Sequence, residues 1–188
     1  LAISKAAEMI RAKLYDNVIV IACDLVSPFV IYGFQSLYAL GTERCKPYDS
    51  ERNGINLGEG CGIVMLSNSQ QAFAESPLVY LSGGSSNDAN HISGPSRTGE
   101  GLVRAIQKTL TNAQLTLADI GFINAHGTAT KFNDDMESVA FSRLLASKTP
   151  VNSLKAYFGH TLGAAGVIET AISMQALRNQ TRIKSLGY

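Results

Sequence analysis

Residues 120–130 read IGFINAHGTAT, and the reading of this stretch decides the fold. Ile120 to Ala125 is a short apolar run of strand length. It hands over directly to His126 and Gly127, and then to the hydroxyl residues Thr128 and Thr130. A histidine placed there stands at the carboxyl end of a strand, where open parallel sheets bind their ligands. The glycine beside it lets a ligand approach the backbone closely.

Residues 151–166, VNSLKAYFGHTLGAAG, repeat that layout. Val151–Ser153 reads as a short strand, Lys155 and His160 follow on a loop, and a long apolar helix is expected from His160 to Leu177. Two histidines at two strand ends, each next to a glycine, can converge on one pocket. Within the helix, Glu169 is the only ionisable side chain after His160. It either pairs with Lys155, which would relieve the cost of burying a lone carboxylate, or lies on a solvent strip with Ser173 and Gln175. A histidine at a helix amino terminus has its charged form disfavoured by the dipole. A neutral imidazole that donates a hydrogen bond to a developing oxyanion suits such a place.

Further out, Asn17–Cys23 (NVIVIAC) is a continuous β-branched run, expected as a strand buried on both faces of a parallel sheet. Gly62–Leu66 and Leu78–Leu81 read as further strands, and Leu1–Leu14 as a helix with Ile3, Ala6, Ala7, Ile10 and Leu14 on one face. Phe29–Leu40 reads as a short helix or turn-rich segment. Thr98 can cap a helix through about Ala113 carrying Leu102, Ile106 and Leu110, and another runs from Asp134 to Ala146. Strands alternating with helices give an α/β fold with a mainly parallel sheet. The polar stretch ending at Pro77 divides it, into residues 1–76 and 77–188.

Composition removes whole classes of function. With 45% hydrophobic and 16% charged residues among 188, the chain can bury a core and is not disordered. The net charge of +1, without a basic stripe, argues against nucleic acid as a partner. No apolar run reaches the ~20 residues of a membrane span. Cys23, Cys45 and Cys61 lack CxxC spacing and fit reduced thiols of a cytoplasmic protein better than a disulfide frame or a zinc site. Gly58, Gly60 and Gly62 precede a strand, whereas a phosphate-binding fingerprint follows one, so they read as a turn pressed against another backbone. His126, His160 and Asp134 have no metal-ligand spacing, His91 reads as a surface residue, and no Gly-x-Ser-x-Gly elbow is present. The reading therefore calls for no metal and no cofactor. A helical start at Leu1 and a polar end at Tyr188 read as the middle of a longer protein.

His126-Gly127-Thr128-Ala129-Thr130, followed by Asn133-Asp134 and Glu137, resembles the His-Gly-Thr-x-Thr block of the β-ketoacyl–acyl carrier protein synthases. Lys155–Gly166 is similar to their Lys-x-x-x-x-His block, and residues 44–62 to the segment between their active-site cysteine and first histidine. The two-histidine pattern is that of the elongating type. The resemblance implies a thiolase-like fold of α-β-α-β-α layers, here partial. Residues 1–76 would be the latter part of the amino-terminal half and residues 77–188 the opening part of the carboxyl-terminal half. It implies decarboxylative Claisen condensation of malonyl-carrier protein with an acyl-enzyme thioester, in fatty acid or polyketide synthesis. His126 and His160 would bind the malonyl carbonyl, Lys155 and Glu169 would hold the electrostatic network, and Thr128 and Thr130 would bond the phosphopantetheine arm. Acyl carrier protein would be the partner, within a homodimer or a ketosynthase heterodimer. The family's nucleophilic cysteine would lie before Leu1, so these residues alone would be inactive. The alternative is a non-catalytic subunit similar to the chain-length factors of polyketide systems.

Overall fold

The computed structural model describes residues 1–88, 94–144 and 149–187 of the chain. His91 and the expected end of the Asp134–Ala146 helix lie outside them. The chain opens with α1 (Ala2–Arg11), whose small residues Ala6 and Ala7 are buried. It ends short of the expected Leu14 because Lys13 turns into the left-handed region at φ 58°. Leu14 is left 66% exposed.

β1 (Asn17–Asp24) and β2 (Gly60–Ser67) form the first sheet. They pair antiparallel, from Asn17 opposite Ser67 to Asp24 opposite Gly60, which corrects the parallel pairing expected for residues 17–23. The expected two-sided burial also fails. Val20 and Val64 pack with Ala6 and with Val167 of α6 (Ala165–Arg178), while Ile19 and Ile21 on the opposite face are exposed. A continuous apolar run shows that both faces are greasy, but not the direction of the neighbouring strand. The same register sets Cys23 opposite Cys61, and the two form a disulfide, which corrects the reading of three reduced thiols. The partners are separated by 38 residues of sequence, and only the strand pairing brings them together. Cys45 is free and buried.

The second sheet is a parallel pair, β3 (Ile123–Asn124) with β4 (Val151–Asn152). Both strands are shorter than the sequence suggested, and Ile120 belongs to the turn from Leu117, whose carbonyl accepts its N–H at 3.3 Å. Beyond Ala125 the backbone N–H groups of residues 126–129 turn to side-chain carboxylates instead of a neighbouring strand. Residues 78–81 form no ladder. Arg11 donates to the Leu81 carbonyl (2.6 Å) and Tyr80 to Ser4 (3.0 Å) instead. α2 (Pro28–Ser36) is capped by Ser27 and has no buried residue. α3 (Glu100–Ala113) starts from Gly99 rather than Thr98 and packs on α4 (Lys131–Leu144). α5 (Lys155–Phe158) is a single turn the sequence reading missed. α6 begins at Ala165, after a 3₁₀ turn at Leu162–Ala164, so His160 does not open it. Among the described residues no helix is long and apolar enough to cross a membrane.

Candidate active site

The parallel pair β3–β4 and the glycine run before β2 bring the two histidines together. β3 delivers His126. His160 is held as a strand-like bridge to Leu57: its N–H donates to the Asn56 carbonyl (2.8 Å) and its carbonyl accepts from Gly58 (3.0 Å). Gly58 is there by necessity, since a Cβ on it would lie 2.1 Å from the Phe158 carbonyl oxygen. The ring centroids of His126 and His160 are 5.0 Å apart and nearly perpendicular, at 83°.

Both rings are pushed toward the neutral form, His160 from a half-buried position and His126 although part of its ring is exposed, which screens its shift. Burial, then the neighbouring Lys155 charge, lowers His126 to about 4. Burial, then Lys155, then His126 lowers His160 to about 3, against an opposing pull from Asp24. The helix dipole expected for His160 is not the cause, because burial dominates and α6 starts further on. The tautomer of His160 is also fixed. The Leu162 N–H donates to its Nδ1 at 3.0 Å, so in the neutral ring the proton sits on Nε2 and is available to a ligand.

Lys155 is 1% exposed, and its Nζ donates to Glu169 Oε1 at 2.7 Å. Of the alternatives open for Glu169, the structure takes the ion pair over the solvent strip. Burial pushes the Glu169 carboxyl up, and Lys155 opposes that shift. Breaking such a pair strands a charge, at a cost of about 3–5 kcal/mol. Thr128 and Thr130 hydroxyls lie 2.8 Å apart and hydrogen-bond each other at the far end of the loop.

The sequence reading missed what holds this loop. Glu137, 3% exposed, accepts the His126 N–H (2.9 Å) and Gly127 N–H (2.7 Å). Asp134, 1% exposed, accepts the Thr128 N–H (3.0 Å) and Ala129 N–H (3.1 Å). Two carboxylates three positions apart on α4 thus replace the sheet partner that the backbone of residues 126–129 gives up. The signal was present, since both acids stand just after the His-Gly-Thr stretch. Gly127 has φ 42° and touches Ser153, whose hydroxyl donates to the Gly127 carbonyl at 2.7 Å. None of the three cysteines can serve as a nucleophile beside the histidines. Cys23 and Cys61 are paired, and burial pushes the Cys45 thiol up. Among the described residues no group of His, Cys, Asp or Glu could hold a metal ion. A separate groove lined by Ile3, Ile10, Leu66, Phe73, Leu78 and Met174 contains neither histidine.

A paired, neutral, donor-bearing histidine site beside a buried Lys–Glu pair can bind a carbonyl oxygen and stabilise charge growing on it. The comparisons agree. Residues 1–72 match the family model of the beta-ketoacyl synthase N-terminal domain and residues 79–188 that of the C-terminal domain. The chain is 39% identical over 194 aligned residues to the 3-oxoacyl-[acyl-carrier-protein] synthase 2 of Rhizobium meliloti (strain 1021), covering 95% of this chain and 45% of that protein. Its fold matches a ketosynthase in complex with its chain length factor from Xenorhabdus doucetiae with a TM-score of 0.91 and 35% identity, covering 99% of this chain and 45% of that one. It also matches a type II PKS acyl-carrier protein in complex with its ketosynthase bound to the hexaketide, with a TM-score of 0.87 and 32% identity over 95% of this chain and 47% of that one. The chain spans about half the length of the relatives it matches. Its α/β architecture is thiolase-like, and with both family domains matched in order, the chain belongs to the β-ketoacyl synthase family.

Proposed function

We propose that these residues form the decarboxylating part of a 3-oxoacyl-[acyl carrier protein] synthase. The observation that carries the reading is the 5.0 Å approach of two imidazoles beside the buried Lys155–Glu169 ion pair. In this reaction malonyl on a carrier protein loses carbon dioxide, and the electron pair of the broken C–C bond passes to the thioester as an enolate. Its carbon then attacks the acyl thioester of a cysteine, releasing the thiolate. His126 and His160 bind the malonyl carbonyl, and the Nε2 proton of His160 is a ready donor to the enolate oxygen. Burial, seconded by Lys155 that Glu169 holds in place, disfavours the charged imidazoles, so they donate without carrying charge. Thr128 and Thr130 bond the phosphopantetheine arm of the carrier protein. The acylated cysteine comes from outside these residues, and the boundary between the two thiolase-like halves falls at residues 76 and 77, between the stretches matched by the two family models.

The protein works in the cytoplasm, as a homodimer or a ketosynthase heterodimer, with acyl carrier protein as its substrate-bearing partner. That reading draws on a ketosynthase solved in complex with its chain length factor and an acyl-carrier protein solved in complex with its ketosynthase. The same heterodimer supports a second reading, a non-catalytic subunit similar to a chain length factor. The presence of both His126 and His160 favours the enzyme. The test supplies the full reading frame with acyl- and malonyl-carrier protein and follows 3-oxoacyl product and carbon dioxide. Condensation is expected, with His126→Ala and His160→Ala each lowering carbon dioxide release by about 10²–10³, the usual cost of losing one oxyanion donor. Intact protein that neither condenses nor decarboxylates overturns the reading.

A further inference from the structure

Tyr48 lies on the turn after Pro47, far from His126 in sequence, yet it meets the His126 loop once and the two carboxylates that hold that loop once each. Its N–H donates to Asp134 Oδ2 (2.8 Å), its ring lies against Gly127, and its hydroxyl donates to Glu137 Oε2 (3.0 Å). The same Glu137 oxygen accepts from Gly127 N–H (2.7 Å) and Asn133 Nδ2 (2.9 Å), while Oε1 accepts from the His126 N–H (2.9 Å). A Cβ on Gly127 would lie 2.5 Å from Ser153 Cβ and 3.0 Å from the Tyr48 ring, so glycine there lets both side chains pack against the loop. Tyr48 itself has φ 67°, a left-handed conformation that costs a bulky residue energy and persists only where its surroundings hold it. Burial and the Glu137 charge push its phenol up, so it stays a donor at every working pH.

We propose that Tyr48 is a positioning residue for His126: its hydroxyl fixes the Glu137 carboxylate, and through it the backbone amides that set where the His126 ring stands. A glutamate side chain has three rotatable bonds, and the hydroxyl fastens one of its two oxygens. Without that bond, Glu137 must hold the His126 and Gly127 amides with one anchor fewer. The inference rests on the proposed role of His126 but not on the reaction, and its test reads no turnover.

The test uses amide hydrogen exchange by TROSY NMR on the 188-residue chain and its Tyr48→Phe variant. Phenylalanine keeps the ring against Gly127 and removes only the hydroxyl. Expected is an about tenfold rise in exchange at the His126 and Gly127 amides, with a shifted His126 ring resonance and unchanged exchange at Val20 and Val64. Equal exchange at His126 and Gly127 in a folded variant overturns the proposal. A uniform rise across the chain overturns it too, because Tyr48 would then be supporting the fold alone. If Tyr48→Phe does not fold, the unaltered chain decides. A slowly exchanging Tyr48 hydroxyl proton with a nuclear Overhauser contact to the Gly127 amide supports the proposal, and its absence overturns it. Failure of condensation in the parent enzyme would sink the proposed function and leave this result standing.

Discussion

Burial and then the Lys155 charge lower both imidazoles, and acid tests the two rings separately. His160 is half-buried and hydrogen-bonded at Nδ1, whereas His126 is exposed, so its shift is the more screened of the two. In both, the folded value lies below the ordinary 6.5, at about 4 for His126 and about 3 for His160. The unfolded chain therefore binds more protons than the folded chain between roughly pH 6.5 and 4, and protonation in that window favours unfolding. Asp134 and Glu169, pushed up by burial, act in the opposite sense, and a difference experiment removes them. The unfolding free energy of the chain minus that of His126→Asn/His160→Asn is expected to fall as pH drops from 6.5 toward 4, and to be flat above pH 7. Ring C–H resonances of both histidines should stay at their neutral positions down to about pH 5. A midpoint near 6.5 for either ring would show that burial does not govern the site.

At the scale of elements, glycine positions separate close approach from mere flexibility. Gly58 faces the Phe158 carbonyl oxygen, which would lie 2.1 Å from an added Cβ, and a backbone atom cannot step aside as a side chain can. Gly58→Ala must push the Leu57–His160 bridge apart and is expected to cost about 3 kcal/mol, at the upper end of overpacking effects. Gly33, inside α2, has nothing within 4 Å of an added Cβ, so Gly33→Ala should stabilise by about 0.5–1 kcal/mol. Urea melts of both variants check the contrast, and equal effects would mean the glycine run is not a packing surface. The glycine run was legible in the sequence as a turn beside another backbone, because it precedes a strand. The helices α1, α3 and α4 and the His126 strand end were legible too, from periodicity and from the abrupt passage of an apolar run into His-Gly, whereas the bridge that holds His160 to Leu57 was not. What stayed hidden depends on chain separation. Neither the antiparallel partner of β1, nor the Cys23–Cys61 pairing, nor the reach of Tyr48 to Glu137 has a local signature. Asp134 and Glu137 were visible beside the His-Gly-Thr stretch, but that they accept its backbone N–H groups shows only once the loop is folded over α4.

For the whole molecule, the arrangement of apolar surface sets its behaviour in solution. The β1–β2 ribbon buries one face under α1 and α6 and presents the other to solvent, with Ile19 60%, Ile21 63%, Ile63 60% and Met65 39% exposed. α2 adds Phe29 at 87% and Tyr32 at 69%. Contiguous apolar surface of this kind on a ribbon with open edges seeks a partner. The 188-residue chain is therefore expected to elute from size exclusion with a light-scattering mass at least twice its 20.1 kDa. Ile21 stands directly opposite Ile63 across the ladder, so Ile21→Lys with Ile63→Glu places a complementary charge pair in the centre of that face without altering its buried side. If the ribbon face drives association, the double variant becomes monomeric and keeps its cooperative melt, whereas Leu14→Lys, on an exposed residue outside the ribbon, leaves the assembly intact. A monodisperse monomer of the unaltered chain would refute the prediction. So would persistent association of the double variant, which would transfer the driving surface to α2.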